Sequence, residues 1–299
     1  MILKGISPPE PWRPFINKLA LSHEFLSDLQ PLAGLTSLRR LGLVHILAND
    51  ISALAGLTSL ESLDLRSTPV SDVSALSHLT SLESLDLGGT RVSDLSPLAD
   101  LISLKRPNLT STLVSDVSQL ARLVSLAHLE LKSTPVSDVS TLRKLTSLKS
   151  LDLGGTRVSD LSALANLSNL RRLSLANTPI NDVTLLTRLT GLDSLNLAGT
   201  RSSDLWSLAN LTRLKHLNVT NTLVSDVSAL ARLVSLAHLE LAGTSVSDVT
   251  PLAGLNGLEY LDLTDTPVTN VSVLAGIRGI NVLDQRLRRG ASRRPEDPR

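Results

Sequence analysis

The sequence predicts an α/β fold: a right-handed solenoid with a parallel sheet on its concave side and 3-10 or short helical turns on its convex side. Two observations predict it. A 22-residue period repeats in twelve consecutive units from Leu26, without an insertion or deletion, and leucines recur at the same spacing from unit to unit with few replacements. Repetition of one short unit is typical of stacked architectures in which each repeat contacts only its neighbours. Connections between parallel strands are almost always right-handed, which sets the hand of the coil.

The strand and the turns follow from the leucine spacing inside one repeat. In the repeat 70–91, VSDVSALSHLTSLESLDLGGTR, numbered 1 to 22 from Val70, leucine stands at positions 7, 10, 13, 16 and 18. The alternation around Leu85 and Leu87 predicts one short strand with leucines inward and positions 15, 17 and 19 toward solvent. The spacing of three at positions 7, 10 and 13 suits a 3-10 or short helical turn better than a second strand.

This L-x-x-L-x-x-L-x-x-L-x-L ladder resembles the leucine-rich repeat, specifically the short bacterial class of the internalin type. The resemblance covers roughly 260 of the 299 residues and implies a bacterial binding module. We expect an N-terminal cap with a degenerate strand over 1–25, the array of twelve repeats over 26–285, and a basic, disordered tail over 286–299. In the cap, Trp12 and Phe15 are expected to cover the first leucines.

Composition and charge exclude several classes of function. Arginines crowd the tail, and because the array shows no basic stripe that could neutralise phosphates, we predict no nucleic-acid partner. The chain has no cysteine, which rules out disulfide-stabilised caps. Prolines interrupt the start of the sequence, and no run of about 18 apolar residues occurs, so neither a standard signal peptide nor a membrane span is predicted. We expect a cytoplasmic monomer; the alternative is a secreted, host-directed effector without a cleaved signal.

Two polar columns complete the structural code of the repeat. Threonine fills position 21 in ten consecutive repeats, from Thr68 to Thr266. Its hydroxyl can donate and accept, so a buried ladder is expected to satisfy backbone groups in adjacent turns. Aspartate fills position 3 in eleven repeats, from Asp28 to Asp248, and Asn270 replaces it in the last. Each aspartate precedes a helical turn, which favours capping over the alternative of a calcium site.

The solvent-facing strand positions form three lanes along the sheet, and these are the candidate binding surface. The central lane, at position 17, is rich in Asp, Glu and Asn, includes Asp284 by phase, and contains no lysine or arginine. A basic or hydrogen-bond-rich protein partner is expected to lie along it; the alternative is that the charges only keep a leucine-dense protein from aggregating. The predicted partner-binding residues are His128, Glu130, Lys132, Asp152, Arg172, Asn196, His216, Asn218, His238, Glu240, Tyr260 and Asp262.

Four individual residues stand out from the regular pattern. His216 and His238 occupy adjacent repeats of one lane, which favours a pH-sensitive contact over a shared metal because a flat sheet preorganises few ligands. Trp206 stands where every complete repeat from the second onward has Ser or Thr, and an exposed tryptophan could anchor a partner or pack flat over its neighbours. Pro107 occupies a strand leucine site, as tolerated damage or as a functional break in curvature.

The sequence therefore predicts a non-catalytic scaffold that binds a protein partner on its concave sheet and needs no cofactor. No Walker phosphate loop, H-E-x-x-H or G-x-S-x-G motif occurs in the chain. The alternatives are a secreted effector that uses the repeats for target recognition and a structural array without a specific partner.

Overall fold

The protein is described by a computed structural model over residues 6–22 and 25–284. The predicted tail over 286–299 lies outside these residues. The chain divides after Leu170 into two compact bodies, and each is described by itself. In both, every repeat contributes one short strand and one 3-10 turn, as the leucine spacing predicts.

The first body contains seven parallel strands in sequence order. They are β1 Lys18–Leu21, β2 Arg40–Leu43, β3 Ser62–Asp64, β4 Ser84–Asp86, β5 Arg106–Asn108, β6 His128–Glu130 and β7 Ser150–Asp152. Its 3-10 turns are Glu10–Phe15, Gln30–Leu32, Ser52–Leu54, Ser74–Leu76, Ser96–Leu98, Ser118–Arg122, Ser140–Lys144 and Ser162–Asn166. Strands pair with an offset of one repeat, for example Ser62 with Ser84, which confirms the predicted phase, and β1 pairs with β2 at the same offset.

The second body contains six parallel strands, also in sequence order. They are β8 Arg172–Ser174, β9 Ser194–Asn196, β10 His216–Asn218, β11 His238–Glu240, β12 Tyr260–Asp262 and β13 Asn281–Leu283. Its 3-10 turns are Thr184–Arg188, Trp206–Leu208, Ser228–Arg232, Thr250–Leu252 and Ser272–Leu274. In each body the ladder leucines form the core: Leu85 and Leu87 of the strand and Leu76, Leu79 and Leu82 of the turn side are all fully buried.

The threonine column is buried as predicted, with all ten side chains at most 5% exposed. Each Oγ1 donates to the carbonyl of position 18, as Thr156 does to Leu153 at 2.6 Å. This partner is three residues earlier in the same turn, so the expectation that the hydroxyl bridges adjacent turns is wrong. The threonine hydrogen bond therefore stabilises the turn that follows the strand within its own repeat and does not involve the adjacent repeat.

The aspartate column caps the 3-10 turns as predicted. In every repeat the position 3 carboxylate or amide oxygen accepts the N–H of position 5 at 2.7–2.9 Å, as Asp72 does from Ser74. Position 5 is the first residue of the turn, where an N–H lacks a partner in the turn itself. Because hydrogen bonding favours the charged form, the pKa of Asp94 and of Asp182 lies below its ordinary value.

Position 20 follows each strand in a left-handed conformation. Its φ runs from +55° to +71° in eleven repeats, through residues such as Ser67, Gly89 and Asn177. Most residues with a side chain disfavour this region, whereas Gly adopts it freely and Asn and Asp tolerate it better than other residues. The small or short polar residues of this column are therefore explained by the sharp turn that leaves the sheet.

The two ends differ from the sequence-based expectation. Trp12 and Phe15 are 59% and 83% exposed, so the expected cover over the first leucines is wrong; the proline-rich turn Glu10–Phe15 buries none of its residues. At the other end, β13 pairs one residue out of phase: Asp262 lies opposite Leu283. Asp284 is consequently buried at 9% exposure and does not belong to the central lane.

Pro107 lies inside strand β5 and is buried. Its pairing with Leu85 of β4 is retained, whereas β5 pairs with β6 only at Asn108 opposite Glu130. Alternate N–H groups of a strand point to the same neighbour, and Leu109 N–H donates to Glu130 of β6 at 2.8 Å. The position 107 nitrogen therefore also faces β6, where proline has no hydrogen to donate.

Candidate functional site

The candidate surface is the solvent-facing side of the sheet in each body. Positions 16 and 18 of the strands are buried, whereas positions 15, 17 and 19 carry the outward side chains. Registered pairing places equivalent residues directly beside each other, as with His216, His238 and Tyr260 at position 15. The predicted lanes are therefore present within each body, apart from the misplaced Asp284.

Most central-lane residues have a structural role that sequence reasoning missed. The Asp or Asn oxygen at position 17 accepts the N–H of position 19, two residues later, as Asp152 does from Gly154 at 2.8 Å. The bond closes the turn that leaves the strand. The residues that make it are Asp64, Asp86, Asn108, Asp152, Asn196, Asn218 and Asp262. The sequence signal for this role was the recurrence of Asp and Asn at position 17, because these are the two side chains that commonly close such a turn.

Glu130 and Glu240 hold the same position with a side chain that is one methylene longer. Glu240 Oε2 accepts a hydrogen bond from Asn218 Nδ2 of the adjacent strand at 2.7 Å. Burial raises the pKa of both glutamates, and the neighbouring charges of Asp152 for Glu130 and Asp262 for Glu240 raise it further. Both carboxylates are thus held in surroundings that disfavour their charge, which a cationic partner would relieve.

In the first body these groups surround a shallow depression of about 430 Å³. Glu130, Lys132 and Asp152, all predicted binding residues, line it together with Arg66 and Asn108. Arg66 pairs with Asp64 at 2.7 Å and with Asp86 at 3.3 Å. Burial raises the pKa of Asp86, and hydrogen bonds from Gly88 and Asn108 oppose that shift. The lining of the depression therefore combines two carboxylates, Glu130 and Asp152, with two cations, Arg66 and Lys132.

In the second body the predicted residues of β10 to β12 form a stacked aromatic row. The rings of His216 and His238 lie 4.7 Å apart at 27°, and His238 and Tyr260 lie 6.1 Å apart at 28°. Burial, and then the charge of His238, lowers the pKa of His216, which favours neutral imidazole. The Nδ1 atom of His238 is buried and makes no hydrogen bond. A flat row beside the Glu240 carboxylate suits a planar or cationic group.

The remaining predicted residues are less closely grouped. His128 lies beside Ser150 in the position 15 lane of the first body. Arg172 lies on β8 and Asn196 on the adjacent strand β9, where Asn196 pairs with Asn218 of β10, the first strand of the aromatic row. Among residues 6–22 and 25–284, no three His, Asp or Glu side chains converge as metal ligands. Within the same residues, no helix is long and apolar enough to cross a membrane.

Comparison with known proteins supports the interpretation of the repeats. The family described as leucine-rich repeats in two copies matches residues 58–100. No curated protein matches the chain. The solved structure of internalin InlF from Listeria monocytogenes is 29% identical with a TM-score of 0.82, covering 95% of this chain and 92% of that one.

Two further solved structures share the fold at lower identity. A Leptospira interrogans leucine-rich repeat protein is 19% identical with a TM-score of 0.85, covering 94% of this chain and 82% of that one. The plant peptide hormone receptor RGFR1, solved in complex with RGF2, is 18% identical with a TM-score of 0.69, covering 93% of this chain and 53% of that one. The in-phase repeats, the register of the parallel strands and these similarities together show that the chain has the leucine-rich repeat fold.

Proposed function

We propose that this protein is a non-catalytic scaffold that binds a protein partner on the solvent-facing side of its sheet. Leucine-rich repeat proteins are in general interaction scaffolds, and RGFR1, a plant peptide hormone receptor, was solved in complex with RGF2. The partner presents basic or hydrogen-bond-donating groups to the central lane. The protein acts as a monomer, without a cofactor, and is cytoplasmic; nucleic acid is not its ligand.

The observation that carries the proposal is the placement of Glu130 and Glu240. Seven Asp and Asn residues of the central lane close turns, which accounts for them without a partner. A glutamate stands instead beside Asp152 in one body and beside Asp262 in the other, in each case next to a like charge. Like charges placed side by side destabilise a sheet unless something compensates them. A cationic partner supplies that compensation.

The test is capture of a partner on the immobilised protein, followed by binding of the purified partner to charge-reversal variants. Glu130→Lys and Glu240→Lys should each weaken binding by about tenfold or more, because each replaces an attractive contact by a repulsive one. Asp152 is left intact because it closes a turn. Undiminished binding by both variants would exclude the central lane as the binding surface.

Asp100→Lys is the matched control. Asp100 is an exposed carboxylate on the turn side of the first body, paired with Arg122 at 2.7 Å. Its reversal makes the same change in net charge as Glu130→Lys away from the sheet face. If Asp100→Lys weakens binding as much as Glu130→Lys, the partner responds to overall charge and the proposed surface is wrong.

A further inference from the structure

A groove on the turn side of the second body contains an exposed tryptophan. Trp206 is 63% exposed at the start of the turn Trp206–Leu208. It lines a groove of about 890 Å³ together with Asp182, Asp204, Arg201 and Leu223. The equivalent groove between two repeats of the first body, beside Ser74, measures about 280 Å³. The larger groove therefore accompanies the one repeat in which tryptophan replaces Ser or Thr.

The carboxylates of this groove are held in place by the capping bonds of the aspartate column. Asp204 Oδ1 accepts the backbone N–H of Trp206 at 2.7 Å, so its carboxylate is tied to the residue that carries the indole. Asp182 Oδ1 accepts the N–H and the hydroxyl of Thr184 at 2.8 and 2.5 Å. In both carboxylates these bonds use only Oδ1. The two Oδ2 atoms remain to accept from a ligand.

The charge of the groove is complementary to a cation. Two carboxylates outnumber the single guanidinium of Arg201. On the other side of the indole, a smaller groove contains Asp226 as well as Asp204, so acidic groups flank both sides of the ring. Tryptophan offers the best aromatic face for a cation, and carboxylates beside it add direct ion pairing.

From these contacts we propose that the groove beside Trp206 binds a lysine side chain presented by a protein partner. The aliphatic stem of the lysine packs along Trp206 and Leu223, and its ammonium group donates to Asp182 and Asp204. This contact lies on the turn side and does not depend on the proposed sheet surface. The groove beside Ser74 shares the carboxylates but has no aromatic residue in its lining, whereas Trp206 lines both grooves beside it, of which this one is the larger.

The experiment uses an acetylated, amidated Gly-Gly-Lys-Gly-Gly peptide and the full chain carrying Trp12→Phe. Among residues 1–299 this leaves Trp206 as the single tryptophan, so its fluorescence reports binding directly. Saturation-transfer NMR on the peptide gives a second readout that does not need the indole. We expect saturable binding in the millimolar range, and a peptide with norleucine in place of lysine should bind much more weakly.

Three variants test the proposed contacts. Trp206→Ser restores the residue common at this position and should weaken binding by about twofold to thirtyfold, the range that a cation–π contact supports. Asp204→Asn keeps the oxygen that accepts the Trp206 N–H but removes the charge, so it should weaken binding and reduce its salt dependence. Arg201→Ala removes a competing cation and should strengthen binding.

Each contrary result overturns the proposal in a distinct way. Equal binding of the norleucine peptide would make the groove a merely apolar surface. Tighter binding of the equivalent glutamate peptide, lost in Arg201→Ala, would make it an anion site. Absence of saturable lysine binding by the Trp12→Phe protein, at a melting temperature equal to that of the parent, would exclude the site. None of these results bears on Glu130 or Glu240, so the sheet proposal stands or fails separately.

Discussion

Pro107→Leu should stabilise the first body. The substitution restores a backbone N–H that faces β6, between the existing bonds from His128 N to Lys105 O at 3.0 Å and from Leu109 N to Glu130 O at 2.8 Å. It also returns leucine to position 16, where the neighbours Leu85 and Leu129 are fully buried. The restored N–H extends the backbone pairing of β5 with β6, which now consists of one residue pair. The restored leucine completes the buried leucine column at position 16.

The magnitude follows from three contributions. One added hydrogen bond contributes about 1 kcal/mol net. One additional buried carbon contributes about 0.8 kcal/mol. Loss of proline increases the conformational entropy of the unfolded chain and costs about 0.7 kcal/mol. The net gain in the free energy of unfolding is therefore about 1 kcal/mol, which corresponds to a rise of roughly 2 °C in melting temperature for a chain of this size.

The assay combines denaturant unfolding with amide hydrogen exchange. The new amide at position 107 should be protected from exchange, because it is predicted to bond across to β6. Pro107→Ala is the matched control: it restores the same N–H but removes buried carbon, so it should be less stable than the leucine variant by about 2 kcal/mol or more. A leucine variant that is less stable than the parent, or whose position 107 amide exchanges freely, would refute the reasoning and show that the break at proline is structurally required.

Three further substitutions test other parts of the account. Thr156→Val removes the 2.6 Å hydrogen bond to the Leu153 carbonyl and should lower the free energy of unfolding, measured in denaturant, by about 1 kcal/mol. An unchanged free energy would show that the threonine hydrogen bonds do not stabilise the fold. Glu240→Gln should raise the melting temperature at pH 7. Because the pKa of Glu240 is raised in the folded state, the protonated carboxyl stabilises the fold at pH values below the ordinary pKa of 4.5, and this stability is lost as pH rises through the folded-state pKa. The difference in melting temperature between Glu240→Gln and the parent should therefore vanish below about pH 4. An equal difference at that pH would contradict burial as the cause of the raised pKa. Leu151→Ala, at a side chain 1% exposed, should cost about 2–5 kcal/mol, and an unchanged transition would contradict the assigned phase.

The sequence predicted the elements because one pattern is repeated many times. Leucine spacing located the strands of the repeats, and the aspartate or asparagine at position 3 marked the start of the 3-10 turn in each of the twelve repeats, since both depend on local geometry that each repeat reproduces. Departures came where the pattern is degenerate. The last strand shifts by one residue, so that Val282 at its centre pairs with Leu261, in the repeat where Ile280 replaces the leucine of position 13.

The candidate site was less predictable because the same residue types serve two roles. Asp152 and Glu130 both appeared as acidic lane residues, yet only the aspartate closes a turn, and that distinction depends on one methylene. Trp206 is irregular in the sequence alone, but the groove beside it also includes Arg201 and Leu223, which are the position 22 residues of two adjacent repeats. Three-dimensional proximity between non-equivalent positions is not encoded in the column pattern.

Carboxylate footprinting of the protein with its captured partner tests the sheet surface most directly. Labelling of exposed carboxylates, read by mass spectrometry, compares Glu130 and Glu240 with Asp100 and the exposed capping residue Asp138 in one experiment. The partner should protect both glutamates, while Asp100 and Asp138 should be labelled as in the free protein. Protection of Asp100 or Asp138 with full labelling of both glutamates would contradict it, because the partner would then bind the turn side.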